Sequence, residues 1–166
     1  LAPQFFACSS EAGQFMFPGR EFSIFNNAID LQQFAFDPAA RTILRTNLGI
    51  GPDTVVIGHT GRFTFQKNHN WIITVFADFV KNLPDSRLLL VGEGPLDGEL
   101  NDLANKLMVS DKVIFAGRQD RIPEYLSAMD LFLLPSHFLL LLLDAGLLFL
   151  LLLLLLFLEL HNELLN

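Results

Sequence analysis

The sequence predicts an α/β fold, a Rossmann-like parallel sheet flanked by helices. Short apolar runs recur at 54–58, 88–91, 112–116 and 131–134, and apolar residues between them repeat at helical spacing. The connections are short, so successive strand–helix units pack as a parallel sheet with helices on both faces. Ligands of such sheets bind where loops leave the carboxyl ends of the strands. The search for function therefore centres on residues 58–67, 92–95, 117–122 and 135 onward.

Residues 4–8 form a short apolar run, and Ser9, Ser10 and Glu11 read as a helix start. Residues 22–25 could be a second strand, turning at Asn26 and Asn27. Asp37-Pro38 opens a helix through Arg41 and Leu44 that stops near Gly49 and Gly51. The β-branched run Thr54-Val55-Val56-Ile57-Gly58 suits a strand buried on both faces. Trp71, Ile72, Val75, Phe76, Phe79 and Val80 predict a helix over 69–81. After a turn at Pro84-Asp85, residues 88–91 are a strand, and Leu96, Leu100, Leu103, Ala104 and Leu107 stripe a helix. Residues 112–116 are a third strand of this series, 123–129 a short helix and 131–134 a fourth strand.

The formal net charge of the 166 residues is −7, which leaves no broad basic face for nucleic acid. A few local cations can still hold a small anion. The single cysteine, Cys8, allows no internal disulfide, and no basic stretch precedes an apolar leader. Both fit a reducing, cytoplasmic setting. The 17 Phe residues are read mostly as core.

Composition changes after Phe138: of residues 139–166, 18 are Leu and none is basic, and Asp144, Glu159 and Glu163 are the acids. The preceding 138 residues then hold 15 acids against 11 bases. Residues 138–158 are long enough to span a membrane, but no Lys, Arg, Trp or Tyr flanks them as an anchor. Leucine could instead fill core strand and helix positions. The near-homopolymer composition favours a third reading, a degenerate low-complexity tail.

The first strand-end loop reads Gly58-His59-Thr60-Gly61-Arg62-Phe63-Thr64-Phe65-Gln66-Lys67-Asn68-His69. Its glycines permit a close turn, and Arg62 and Lys67 bring a planar fork and a point charge to one strand end. Asn68 is placed to N-cap the next helix, whose dipole would add positive potential. Spacing alone leaves solvated surface charge as an equal alternative. The second loop, Gly92-Glu93-Gly94-Pro95-Leu96-Asp97-Gly98, sits where a dinucleotide fingerprint would, but its glycine spacing is wrong and Pro95 intrudes. A tight turn relieved by Gly94 explains it better. The third, Gly117-Arg118-Gln119-Asp120-Arg121-Ile122-Pro123, could face a flat base or be an ordinary polar turn. His59, His69 and His137 lack metal-ligand spacing and read as surface or capping histidines.

Taken in order, these loops, with Leu-Leu-Leu-Val-Gly-Glu-Gly-Pro at 88–95, Val-Ile-Phe-Ala-Gly-Arg at 113–118 and Ala-Met-Asp-Leu-Phe-Leu-Leu-Pro-Ser-His-Phe at 128–138, resemble the GT-B glycosyltransferases of capsular and exopolysaccharide type. Residues 22–30 resemble the linker into that family's second domain, and 5–17 the last strand and helix of its first. The predicted division is therefore 1–30, a remnant of the acceptor domain and linker; 31–138, a donor-binding domain; and 139–166, the leucine-rich tail.

The resemblance implies a nucleotide-sugar donor, in particular a UDP-sugar, retention of anomeric configuration, and neither cofactor nor required metal. It implies donor contacts at Gly61, Arg62, Lys67, Gly94, Gly117, Arg118 and Ser136, with Arg62 and Lys67 on the diphosphate, Gly117 and Arg118 at the base and Ser136 near the phosphate end. The acceptor would be a glycan or a lipid-linked sugar held by an N-terminal domain, and peripheral association with the inner face of a membrane is compatible with that. The family's two glutamates after Pro-Ser-x-Phe fall on Leu139 and Leu147, so no catalytic residue is assigned and this chain alone is expected to be inactive. Two other classes stay open at this point: a dinucleotide-binding oxidoreductase domain and a non-catalytic interaction domain.

Overall fold

The computed structural model describes residues 4–135, and these separate into two compact units that divide between Ala35 and Phe36. In the first unit, β1 (Phe6–Ala7) and β2 (Ser23–Ile24) pair in parallel, joined through α1 (Ser10–Met16). Ser9 caps that helix by accepting the Ala12 N–H at 3.1 Å, as its sequence position predicts. The Phe5 and Phe17 rings meet at 4.7 Å between centroids.

The second unit runs α2 (Pro38–Asn47), β3 (Val55–Thr60), α3 (His69–Asn82), β4 (Ser86–Val91), α4 (Asp97–Lys106), β5 (Val113–Gly117), α5 (Ile122–Ala128) and β6 (Leu131–Phe132). Its four strands pair in parallel in the order β5-β4-β3-β6. The α/β parallel-sheet prediction holds, with boundaries displaced by one to two residues at most ends.

Residues alternate across the sheet, and each face has its own core. Ile57, Leu88, Leu90 and Val113 face Ile72, Ile73 and Phe76 of α3 and Leu100 and Ala104 of α4. Val56, Leu89 and Val91 face the other way, toward Ala128 and Met129 and partly buried Leu44 of α2. Because both faces are covered, the strands read as continuous apolar runs rather than alternating ones.

Asp37 caps α2 by accepting the Ala39 and Ala40 N–H groups, and Pro38 follows at the first helical position. The amino ends of β3 and β6 are tied to α2 by a polar knot. The Asp130 carboxylate accepts from Val56 N–H at 2.7 Å, Arg41 at 2.5 Å and Arg45 at 3.3 Å. Arg45 is only 4% exposed and also donates to the carbonyls of Thr54, Gly51 and Ala128. Burial pushes the Asp130 carboxyl upward, but the Val56 N–H and the Arg41 and Arg45 bonds outweigh it and hold it below its ordinary value.

One composition reading is overturned. Of the phenylalanines, Phe63 and Phe76 are fully buried, whereas Phe6, Phe15, Phe25, Phe34, Phe36, Phe65 and Phe132 are exposed among the described residues. Four of these lie in the first unit, whose two short strands and seven-residue helix offer little interior to fill. The leucine-rich tail, Ser136 and His137 fall outside the described residues. Among the described residues no helix is long and apolar enough to cross a membrane.

Candidate donor site at the carboxyl ends of β3, β4 and β5

The strand-end loops stay laced together after the strands end. Gly61 N–H donates to Val91 O at 2.9 Å and Phe63 N–H to Glu93 O at 3.1 Å, extending the β3–β4 ladder. Gly92 N–H donates to the Gly117 carbonyl at 2.9 Å, extending β4 toward β5. Phe63 is 1% exposed and packs on His69 (4.5 Å between centroids) and Phe115 (6.3 Å), anchoring the loop in the core. Its neighbour Arg62 is exposed.

This lacing explains the second loop's glycines. Gly92 has φ +144°, and a Cβ there would collide with the Gly61 carbonyl; a Cβ on Gly94 would collide with the Phe63 backbone. Both glycines serve the approach of one loop to another. The tight-turn reading is thereby sharpened, and the irregular spacing that did not suit a dinucleotide fingerprint has a structural cause.

A cleft of about 740 Å³ opens at this end of the sheet, lined by Arg62, Gly92, Glu93, Gly94, Pro95, Asp97 and Arg118. That volume lies in the usual range for small-molecule sites. A smaller hollow of about 280 Å³ shares Gly92 and Arg118 with it and reaches Gly61 and Gln119. Arg62, Gly94 and Arg118 are therefore brought to one cleft, and Gly61 lies next to it. Gly117 supplies the carbonyl that receives Gly92 N–H and the turn that presents Arg118.

Lys67 stands apart from the cleft wall. It closes a short 3₁₀ turn (Phe65–Lys67), and its Cδ and Cε lie 3.7 Å from where a Cβ on Gly61 would be. The Arg62, Lys67 and Arg118 side chains make no hydrogen bond or ion pair with any described residue. Arg41, Arg45, Lys81 and Arg121 are all paired with acids.

Two expectations for this loop are corrected. Asn68 occupies the position before α3, but its side chain makes no cap bond; its backbone is left-handed, at φ 53° and ψ 45°. Asn tolerates that conformation, and here it redirects the chain from the 3₁₀ turn into the helix. His59 and His69 are 1% and 0% exposed rather than surface or capping residues. Their rings meet edge-on at 4.8 Å, and His59 Nδ1 donates to Leu133 O at 2.7 Å. Burial, then the charges of His59 and Lys67, push His69 down to about 4, against a smaller upward pull from Asp97. Burial also lowers His59, opposed by its bond to Leu133.

Sequence reasoning missed the acids of the cleft as well as the histidines. Asp97 Oδ2 accepts Gly94 N–H at 2.9 Å, so its carboxylate sits at the start of α4 and disfavours an anion there. The free cations therefore provide the anion-binding potential of this cleft. Among the described residues no group of three or more His, Cys, Asp or Glu could hold a metal.

A parallel sheet with a cleft at its carboxyl edge is the architecture of a ligand-binding α/β domain, and the chain belongs to the glycosyl transferases group 1 family, whose profile matches residues 40–141. It is 33% identical over 135 residues to EpsF of Bacillus subtilis strain 168, whose own assignment as a glycosyltransferase is provisional; the match covers 78% of this chain and 35% of that protein. It is 31% identical over 139 residues to N-acetyl-alpha-D-glucosaminyl L-malate synthase of Bacillus anthracis, covering 82% and 36%. The structure of Anabaena HepE in complex with UDP-glucose superposes with TM-score 0.67 at 26% identity, over 80% of this chain and 38% of HepE. The chain thus spans a little over one third of the length of these relatives. Family membership leaves the oxidoreductase alternative without support.

Proposed function

We propose that this chain is the donor-binding unit of a retaining glycosyltransferase, taking a UDP-sugar for transfer to a glycan or lipid-linked acceptor. One observation carries the reading: Arg62, Lys67 and Arg118 stand unpaired at the carboxyl ends of β3 and β5, two of them in the cleft wall. Arginine and lysine left without partners in a chain of net charge −7 suit a ligand that brings its own negative charge. HepE, similar over most of this chain, was solved in complex with UDP-glucose, and that supports a nucleotide sugar as the ligand.

In this reading Arg62 and Lys67 bind the diphosphate and stabilise the charge that develops on the departing nucleotide. Arg118 lies on the base side, beside the smaller hollow at Gly61 and Gln119. Ser136 belongs to the same proposal but lies outside the described residues. Leu139 and Leu147 stand where the resemblance places two glutamates, so donor binding is expected of this chain and sugar transfer by it alone is not. Action at the inner face of a membrane fits a lipid-linked acceptor and is proposed on that ground alone.

A calorimetric titration with UDP and with UDP-glucose tests the reading. Saturable binding is expected, weakened about tenfold or more by Arg62→Ala, since a hydrogen bond to a charged group contributes about 1.5–3 kcal/mol. Equal affinity in wild type and variant would remove Arg62 from the site.

A further inference from the structure

The buried histidines under the loop have a feature that the donor-site reading does not use. His59 Nδ1 lies 2.7 Å from Leu133 O, and a carbonyl can only accept, so the proton of the neutral ring sits on Nδ1. Nε2 is then a bare acceptor. It is buried, and it has no hydrogen-bond partner among the described residues. An unpaired buried acceptor is costly, so its orientation calls for an explanation.

Nε2 points at Gly61. A Cβ built on Gly61 would lie 3.0 Å from His59 Nε2 and 3.7 Å from Lys67 Cδ and Cε. The acceptor and the end of the lysine chain therefore flank the same small space above the Gly61 Cα. An ammonium group lies one bond beyond Cε, within reach of that space. The ring cannot turn away, because Leu133 holds its other nitrogen, Phe132 stacks on it at 5.6 Å and His69 meets its edge at 4.8 Å. Position 61 must be glycine for the two to approach, since any side chain would fill the space between them.

We infer that His59 is a positioning residue for Lys67: the two groups are unbonded in the structure, and a change of rotamer at the end of the lysine chain brings its ammonium onto the Nε2 lone pair, kept bare by the Leu133 bond, at the edge of the donor site. The inference rests on the donor-site reading for its consequence, which is that a lysine held in advance binds the diphosphate with less loss of side-chain freedom. His69 supports the arrangement by packing between the His59 and Phe63 rings. Phe132 stacks on the His59 ring, and Nε2 itself is buried.

His59→Asn separates this role from a merely structural one. The Asn amide nitrogen stands near the Nδ1 position and keeps donation to Leu133 O, while nothing replaces Nε2. In titrations with UDP-glucose, whose diphosphate does not change charge near neutral pH, His59→Asn is expected to weaken binding about fivefold. In a Lys67→Ala background the same change is expected to have no further effect, because the partner is gone. Equal losses in both backgrounds, or no loss in either, would overturn the inference.

A second measurement needs no nucleotide. The ¹⁵N resonances of the His59 ring should report an Nδ1–H tautomer, and the Nε2 signal should move on Lys67→Ala. An Nε2 signal indifferent to Lys67 rejects the contact. If Nε2 responds to Lys67 but UDP-glucose does not bind, the donor-site reading fails and the contact stands.

Discussion

At the scale of single residues, the two ends of β3 use charge in opposite ways. At the amino end charges answer one another: Asp130 accepts from Val56 N–H, Arg41 and Arg45, and the Arg45 terminal nitrogens also donate to backbone carbonyls. Asp130→Ala would leave buried Arg45 short of its counter-charge. We expect a loss of about 2–3 kcal/mol in denaturant unfolding, below the cost for a fully buried pair because Asp130 is 32% exposed. Its lowered carboxyl contributes stability that is present above the ordinary Asp value and lost as pH falls through the folded one. His69 acts in a higher window. Lowered from 6.5 to about 4, it is neutral when folded, so its contribution is complete above pH 6.5 and disappears as pH falls toward 4. Between pH 7 and 5 this amounts to about 2 kcal/mol. Thermal unfolding at the two pH values should show the difference, and His69→Phe should shrink it; an equal pH dependence in the variant would contradict the assignment.

At the scale of elements, the loops after β3 and β4 behave as one body, because Gly61 and Phe63 continue the ladder and Gly92 and Gly94 let it close. Gly94→Ala should force the two backbones apart, lowering the melting temperature and weakening UDP-glucose binding together. A variant that melts lower but binds unchanged would show that the cleft does not depend on this lacing. The strands and helices are legible because apolar periodicity follows directly from burial, and the strand-end rule then leads to the loops that line the cleft. Less was readable within the loops. Residue type points Asn68 to capping, whereas the chain uses its tolerance for a left-handed turn, a choice that depends on the path of the backbone. The buried histidines did leave a signal. His59 continues the alternation of Val55 and Ile57, and His69 leads the spacing of Ile72, Ile73 and Phe76. Histidine is found at surfaces more often than in cores, and that preference masks the signal. Asp97 gave no such signal, since its bond to Gly94 N–H depends on a turn that sequence does not specify.

At the scale of the molecule, the described second unit has the sheet order and strand-end cleft of a ligand-binding α/β domain, and group 1 glycosyltransferase membership agrees with it. The central claim is that the carboxyl edge of this sheet binds a nucleotide sugar. Amide chemical-shift mapping of the ¹⁵N-labelled chain during titration with UDP-glucose tests it most directly. The account predicts saturating shifts in residues 61–67, 92–97 and 117–119, with the opposite edge around Gly51, Asp85 and Asp111 unchanged. Shifts confined to that opposite edge, or none at saturating nucleotide sugar, would contradict it.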